Sequence, residues 1–407
     1  MHIDFYYDIV CPYAYLASTQ VEALAARAGV ELRWQPVLLG GLFRAVGTAQ
    51  NMSASMHPSK ARLNLLDMHR QAHRLGVPLA MHPKHPVRTV EAMRLLTGAP
   101  EAVRPALSHA LYRAYWVEHR AVDDPAVLQA IAAEHGLDAA QIVADPEVKA
   151  GLFACTAEAA AQGAFGVPAV VVDGRLYWGA DRLHLVERQL TGDAPEPDLP
   201  EGPTGAQLTF FHDFSSPYSY LAAGAIAQLA SDHGATVQWR PILLGGLFRA
   251  LGTADVPLLA MNAARQAYMG RDLQDWASFR QVPFRFPTVF PLRTVLPLRV
   301  ALQAPEATMA IYKAAWADDR NIGDATELAA VLNEAGFDGA ALVAGAADPA
   351  VKAQLRANTE AALEVGACGV PTMQVQSDDG GAPQLFWGQD RLEMVAAALR
   401  GWRLPDD

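Results

Sequence analysis

The sequence predicts an α/β protein made of two tandem copies of one domain, each a small mixed sheet interrupted by a large helical insertion. Three observations lead there. First, WQPVLLGGLFRAVGTA at 34–49 returns as WRPILLGGLFRALGTA at 239–254, with 13 of 16 positions identical. Second, the offset of 205 holds without a gap from Asp8/Asp213 to Arg88/Arg293, and after some drift GVP recurs at 166–168 and 369–371. Third, 407 residues exceed one ordinary hydrophobic core and suit two domains of roughly 200 residues. Between the copies, TGDAPEPDLPEGPTGAQ (191–207) is rich in Pro, Gly and acids and reads as an exposed linker. The expected layout is a first domain at 1–192, a linker at 193–206 and a second domain at 207–407.

Each copy opens on an apolar, aromatic strand, HIDFYYDI or QLTFFHDF. A Cys-Pro or Ser-Pro step then starts an amphipathic helix, because Pro at the first helical position loses an N–H that has no partner there anyway. VELRWQPVLL and TVQWRPILL supply the second strand. About 110 residues of helical text follow, with apolar residues at i, i+3 and i+4 as in VLQAIAAEHG. GVP then leads into AVVVDGRLYWG, a strand, an Asp-Gly turn and a strand, and a last helix closes the copy.

Composition narrows the function classes. Half of the residues are hydrophobic and the formal charge is −11, which argues against nucleic acid and against anionic membrane surfaces. No apolar run approaches the roughly 20 residues of a membrane span. The start MHIDFYYDI lacks the basic flank of a secretion signal. Cys11, Cys155 and Cys368 have no CxxC spacing and no disulfide framework, so a reducing cytoplasm is the expected location.

The sequence differs pointedly at one position. CPYAYLA at 11–17 faces SPYSYLA at 216–222, so Cys11 and Ser216 both sit where a strand ends and a helix begins. Unpaired N–H groups and the helix dipole favour an anion there, which would lower a thiol's pKa and make Cys11 a nucleophile. A serine would instead cap the helix, or donate to another molecule's thiolate. The later Val-Pro steps, Val167–Pro168 and Val370–Pro371, are candidates for cis bonds that offer backbone to an extended peptide.

The set DFxSPYSYLA, P-x-LLGG, GVP and WGxDRL resembles the 2-hydroxychromene-2-carboxylate isomerase and kappa-class glutathione transferase family, over nearly the whole chain and twice. The resemblance implies a DsbA-like thioredoxin fold with a helical insert, glutathione as cofactor and a small aromatic substrate. It implies that Ser216, with Cys11 in its place in the first copy, holds the glutathione sulfur as thiolate. The family's N-x8-K loop falls on Asn51 and Lys60, and on Val256 and Arg265 in the second copy. An acid further on corresponds to Asp67 and Asp272. Val167 and Val370, before Pro168 and Pro371, would pair with the cysteinyl backbone, and Asp181 and Asp390 of WGxDR would hold the γ-glutamyl amino group. The resemblance also implies dimers, so the fusion reads as a dimer folded into one chain.

The implied activity is isomerisation, in which the thiolate adds to a conjugated carbon, a bond rotates and the thiol leaves. Arg88 and Arg293, in PVRT and PLRT, are candidates for a substrate carboxylate or are solvated charges beside a turn. Two alternatives stand beside it: a glutathione or Cys11-based thiol transferase, and a non-catalytic binder of small molecules. Ala14 in place of a resolving cysteine argues against dithiol exchange. Cys155 and Cys368 read as packed core residues. His69 and His73, spaced by four, have no supporting ligands in the second copy, where Gln274 and Ser278 stand, so no metal is expected.

Overall fold

A computed structural model describes residues 1–50, 56–193, 206–254, 256–377 and 381–405. The chain divides into two compact units: Met1–Ser55, Leu65–Glu196 and Asn262–Met269 form the first, and Met56–Asn64, Pro197–Met261 and Gly270–Asp407 the second. Short segments at 56–64 and 262–269 are thus packed with the other copy's unit, which sequential boundaries would not suggest. Most of the expected linker, and Asn51, lie outside the described residues.

In the first unit, β1 (His2–Tyr7), α1 (Pro12–Ala28), β2 (Glu31–Pro36) and α2 (Leu39–Ala45) come first. The chain continues through α3 (Pro58–Arg74), α4 (Val90–Gly98), α5 (Arg104–Trp116), α6 (Pro125–Glu134), α7 (Ala139–Ala144) and α8 (Pro146–Ala161). β3 (Ala169–Val172), β4 (Arg175–Trp178) and α9 (Leu183–Thr191) close the copy. The sheet order is β2-β1-β3-β4, with β1 parallel to β2 and antiparallel to β3. Phe5 and Tyr7 stack on one face of β1 and meet Trp34 edge-on, so the aromatic run seen in the sequence is the sheet's own core.

The second copy repeats the plan with β5 (Gln207–His212), α10 (Pro217–Asp232), β6 (Thr236–Pro241), α11 (Leu244–Ala250), α12 (Ala263–Phe279), α13 (Val295–Gln303), α14 (Thr308–Trp316), α15 (Ala325–Glu334), α16 (Gly339–Gly345), α17 (Pro349–Glu364), β7 (Thr372–Gln376), β8 (Gln384–Trp387) and α18 (Leu392–Leu399). Its sheet order is β6-β5-β7-β8. A buried tryptophan in each copy helps fasten the helical insert to the segment before α1 or α10. The indole N–H of the fully buried Trp116 donates to the Ile9 carbonyl (2.9 Å), and that of Trp316 to Phe214 (2.8 Å). Tyr15 and Tyr220 pack into this seam and donate to the carbonyls of Pro78 and Pro283.

At the end of β5 the second copy departs from the first, with His212 where the first has Tyr7. His212 is completely buried, its Nδ1 sits 3.0 Å from the Tyr312 hydroxyl, and burial pushes its pKa down to about 3. Below pH 6.5 the unfolded chain takes up a proton that the folded chain refuses until about pH 3, so stability falls with acid across that window. His212→Tyr restores the residue of the first copy. Denaturant unfolding is expected to show this variant losing less stability than the parent on acidification, by about 1.4 kcal/mol per pH unit below 6.5; equal acid slopes would contradict it.

Candidate functional site

The strand–helix junctions hold the two sequence candidates as expected. Cys11 and Ser216 are N-cap residues in extended conformation, each followed by Pro at the first helical position. The Val167–Pro168 and Val370–Pro371 bonds are cis, as are His85–Pro86 and Phe290–Pro291, which the sequence reading did not single out. Each junction meets its cis-proline loop directly. Cys11 donates through Sγ to the Val167 carbonyl (3.1 Å), and the Ser216 hydroxyl donates to the Val370 carbonyl (3.2 Å). Ser216 also caps its helix, accepting from the Ser219 N–H at 3.2 Å.

Here one expectation is corrected. Cys11 was expected to have a lowered pKa, but burial pushes it up to about 12. The N–H groups of Tyr13 and Ala14 pull the other way, as the helix-start reasoning supposed, and the buried carboxyl of Asp8 adds to the rise. Desolvation wins because the side chain is enclosed, with only 7% of the residue's surface exposed. Cys11 is therefore a neutral thiol at physiological pH. Cys155 and Cys368 are likewise pushed up to about 12 by burial.

The loops beyond β4 and β8 wrap the same place. Gly179 donates to the Pro168 carbonyl and Gly388 to that of Pro371, each at 3.0 Å. Both glycines have φ near +110°, and a Cβ on either would strike the aspartate two residues on, at 2.5 Å from Oδ1. Asp181 and Asp390 are held in these loops against Arg182 (2.9 Å) and Arg391 (3.2 Å). In the second unit Arg280 donates to the Gln389 carbonyl, a support absent from the sequence reading because Leu75 stands at the matching position.

Lys60 and Arg265 are not where equal spacing would put them. Lys60 belongs to the second unit, with its Nζ 5.6 Å from the centre of the Trp387 ring. Trp387 faces Thr372, the residue after Pro371, across the β7–β8 ladder, so the lysine stands beside the cis-proline loop of Ser216. Arg265 belongs to the first unit and lies over Trp178 at 5.5 Å, beside the loop of Cys11. The division expected from sequence, with Lys60 serving Cys11 and Arg265 serving Ser216, is therefore reversed. Asp67 and Asp272 lie on α3 and α12; Asp67 accepts from Gln71 (2.7 Å) and Asp272 is buried. Val256 leads into a short 3-10 turn at 257–260.

The two sites also differ in bulk. Beside Trp178 the first unit has Phe165 and Tyr268, whose rings pack against each other (5.5 Å); the Tyr268 hydroxyl accepts from the Trp178 N–H at 3.0 Å. At the corresponding positions the second unit has Cys368 and Leu63. The smaller pair leaves the Ser216 site without the aromatic filling of the Cys11 site.

The chain is similar to known proteins in both of its halves. The DSBA-like thioredoxin domain matches residues 2–191 and again 207–400. The 2-hydroxychromene-2-carboxylate isomerase of Sphingobium xenophagum is 30% identical over 202 residues, 47% of this chain and 97% of that protein. Glutathione S-transferase kappa 1 of Homo sapiens is 28% identical over 215 residues, covering 49% of this chain and 92% of that one. Among solved structures, a 2-hydroxychromene-2-carboxylate isomerase covers 47% of this chain and 94% of its own, at 25% identity and a TM-score of 0.41.

A neutral thiol makes a simple prediction. Cys11 in the folded chain should react with iodoacetamide at pH 8 at least about 100-fold more slowly than a free cysteine, since only the thiolate attacks. Mass spectrometry of the labelled peptide measures it, and rapid labelling of Cys11 would contradict the enclosed, protonated thiol.

Proposed function

The chain belongs to the DSBA-like thioredoxin domain family, whose domain it carries twice, and from that premise we propose that it is a glutathione-dependent isomerase of a 2-hydroxychromene-2-carboxylate-type or related aromatic compound, working at Ser216. The observation that carries this reading is the meeting, in one compact unit, of the Ser216 hydroxyl, the Val370–Pro371 backbone, Lys60 and Asp390. Relatives named as isomerases and as kappa-class transferases support glutathione as the cofactor.

The residues present fit that group. The Ser216 hydroxyl, which here donates to the Val370 carbonyl, would turn its hydrogen to the sulfur of an extended tripeptide paired with Val370, and a hydrogen bond donated there favours thiolate over thiol. Lys60 supplies a positive charge for a carboxylate, and Asp390 a negative one for the amino group. When bound, glutathione supplies a nucleophile that adds reversibly to a conjugated double bond. The buried seam of Tyr220, Tyr312 and Trp316 excludes water from the back of Ser216.

The Cys11 site is proposed as scaffold. Its thiol stays protonated, and Phe165 and Tyr268 take up the space beside the loop. A thiol transferase acting through Cys11 lacks the thiolate it needs.

Calorimetric titration of the reduced chain with glutathione tests the assignment. One site is expected. Ser216→Ala and Lys60→Ala should each weaken it by about tenfold or more, the cost of a lost hydrogen bond or ion pair to a charged group, and Cys11→Ala should leave it unchanged. Loss with Cys11→Ala and not with Ser216→Ala would move the site to the first unit. Absence of binding would overturn glutathione dependence altogether. Glutathione-dependent conversion of 2-hydroxychromene-2-carboxylate, followed by absorbance, then separates isomerase from transferase by whether a thioether product forms.

A further inference from the structure

The second unit holds a cavity of about 490 Å³, within the roughly 300–1,000 Å³ typical of small-molecule sites. Leu243, Leu244, Pro291, Leu292, Val295 and Leu296 form its apolar walls. Two cations, Arg293 and Arg299, line it together with Asp213 and Ser215. Both carboxyl oxygens of Asp213 are already engaged: Oδ1 accepts from the Ser215 N–H (2.9 Å) and Oδ2 from that of Leu244 (2.8 Å). Among the described residues neither arginine has an ion-pair partner, and the buried Arg299 Nε has no hydrogen-bond acceptor. Arg94, its counterpart, has the same orphaned Nε.

The first copy shows what is particular here. Arg88, the counterpart of Arg293, is paired with Glu91 at 3.1 Å. Glu91 corresponds to Leu296 of the cavity wall, and Asp123 stands where the second copy has Gly323. Gly323 lets the chain pass tightly over Arg293; a Cβ would come within 2.9 Å of both the Cβ and the carbonyl oxygen of that residue. The acid paired with the arginine in one copy thus becomes an apolar wall in the other, and a second acid, Asp123, is replaced by glycine. The positive charge is kept while its compensation is removed, in a cavity large enough for a ligand.

We infer that this cavity binds a small apolar carboxylate, its ring or chain against the leucines and Val295 and its anionic end on Arg293 and Arg299. Guanidinium groups suit that end because they pair with carboxylates through two parallel hydrogen bonds. The cavity adjoins the Ser216 junction through Ser215, so as a substrate site it rests on the enzymatic reading above, whereas the binding itself does not.

Titration of the full chain with 1-naphthoate tests it, without glutathione and again with it. One site is expected, with the neutral 1-naphthalenemethanol and inorganic sulfate each binding about tenfold more weakly or worse. Leu296→Glu, which places the first copy's acid beside Arg293, should weaken naphthoate about tenfold or more, as should Arg293→Gln combined with Arg299→Gln. Leu296→Gln, isosteric but uncharged, should weaken it much less. Glutathione titration of the same variants tells a folded chain from a damaged one. Equal binding of sulfate and naphthoate would overturn the apolar half of the inference, and undiminished binding in the Leu296→Glu and double-arginine variants would overturn the cavity as the site. Naphthoate binding with no glutathione binding would keep the cavity and sink the isomerase; the converse would do the reverse.

Discussion

One buried carboxyl in each unit holds together what the rest of the site requires. Asp213 is enclosed at the end of β5, and it accepts from the backbone of Ser215 and Leu244 and from the side chain of Thr294. Those three groups open the active helix, the Leu-Gly-Gly segment and the Arg293 loop. Asp8 does the same in the first unit, through Val10, Leu39 and Thr89. Burial raises the pKa of both aspartates, and the donated hydrogen bonds oppose that rise. An unpaired buried carboxyl is costly, so these loops cannot drift from it without leaving it unsatisfied. The helix start and the cavity wall are tied to that constraint.

Given a common frame, a few substitutions separate the two sites. Ser216 against Cys11 changes a hydroxyl that can share its hydrogen into a thiol that burial keeps protonated. Cys368 and Leu63 against Phe165 and Tyr268 exchange a small thiol and an aliphatic side chain for two aromatic rings beside the loop. Leu296 and Gly323 against Glu91 and Asp123 change a neutralised arginine into a free charge facing apolar walls. On the proposed reading each change favours ligand in the second unit, and each acts differently, through hydrogen bonding, volume and charge. Agreement among independent terms is a stronger argument than any one of them.

Much of this was legible in the sequence because it is local. The repeat, the strand–Pro–helix junctions, the Val-Pro loops and the Asp-Gly hairpin depend on neighbours a few residues apart. What stayed hidden depends on depth and on long-range contact. The helix-start reasoning about Cys11 named the right local field but could not know that burial would exceed it. Spacing paired Lys60 with Cys11 and Arg265 with Ser216, since an offset of 205 aligns copies and carries no information about which compact unit a segment joins. The arginines of PVRT and PLRT could be weighed only as solvated charge or carboxylate partner, because Glu91 and Asp123 acquire meaning only when set against Leu296 and Gly323.

That reversal changes how the duplication should be understood. Read copy by copy, the first has the lysine without the serine and the second the serine without the lysine, so both look degraded. Read by compact unit, the second gathers serine, lysine, cis-proline backbone and aspartate, and the first gathers the enclosed thiol with Arg265, its own cis-proline backbone and Asp181. Residues 56–64 are then part of the second unit's site although they lie in the first copy's sequence. A chain whose halves were separately sufficient could lose either one; here the lysine that faces Trp387 reaches it only because the first copy is present.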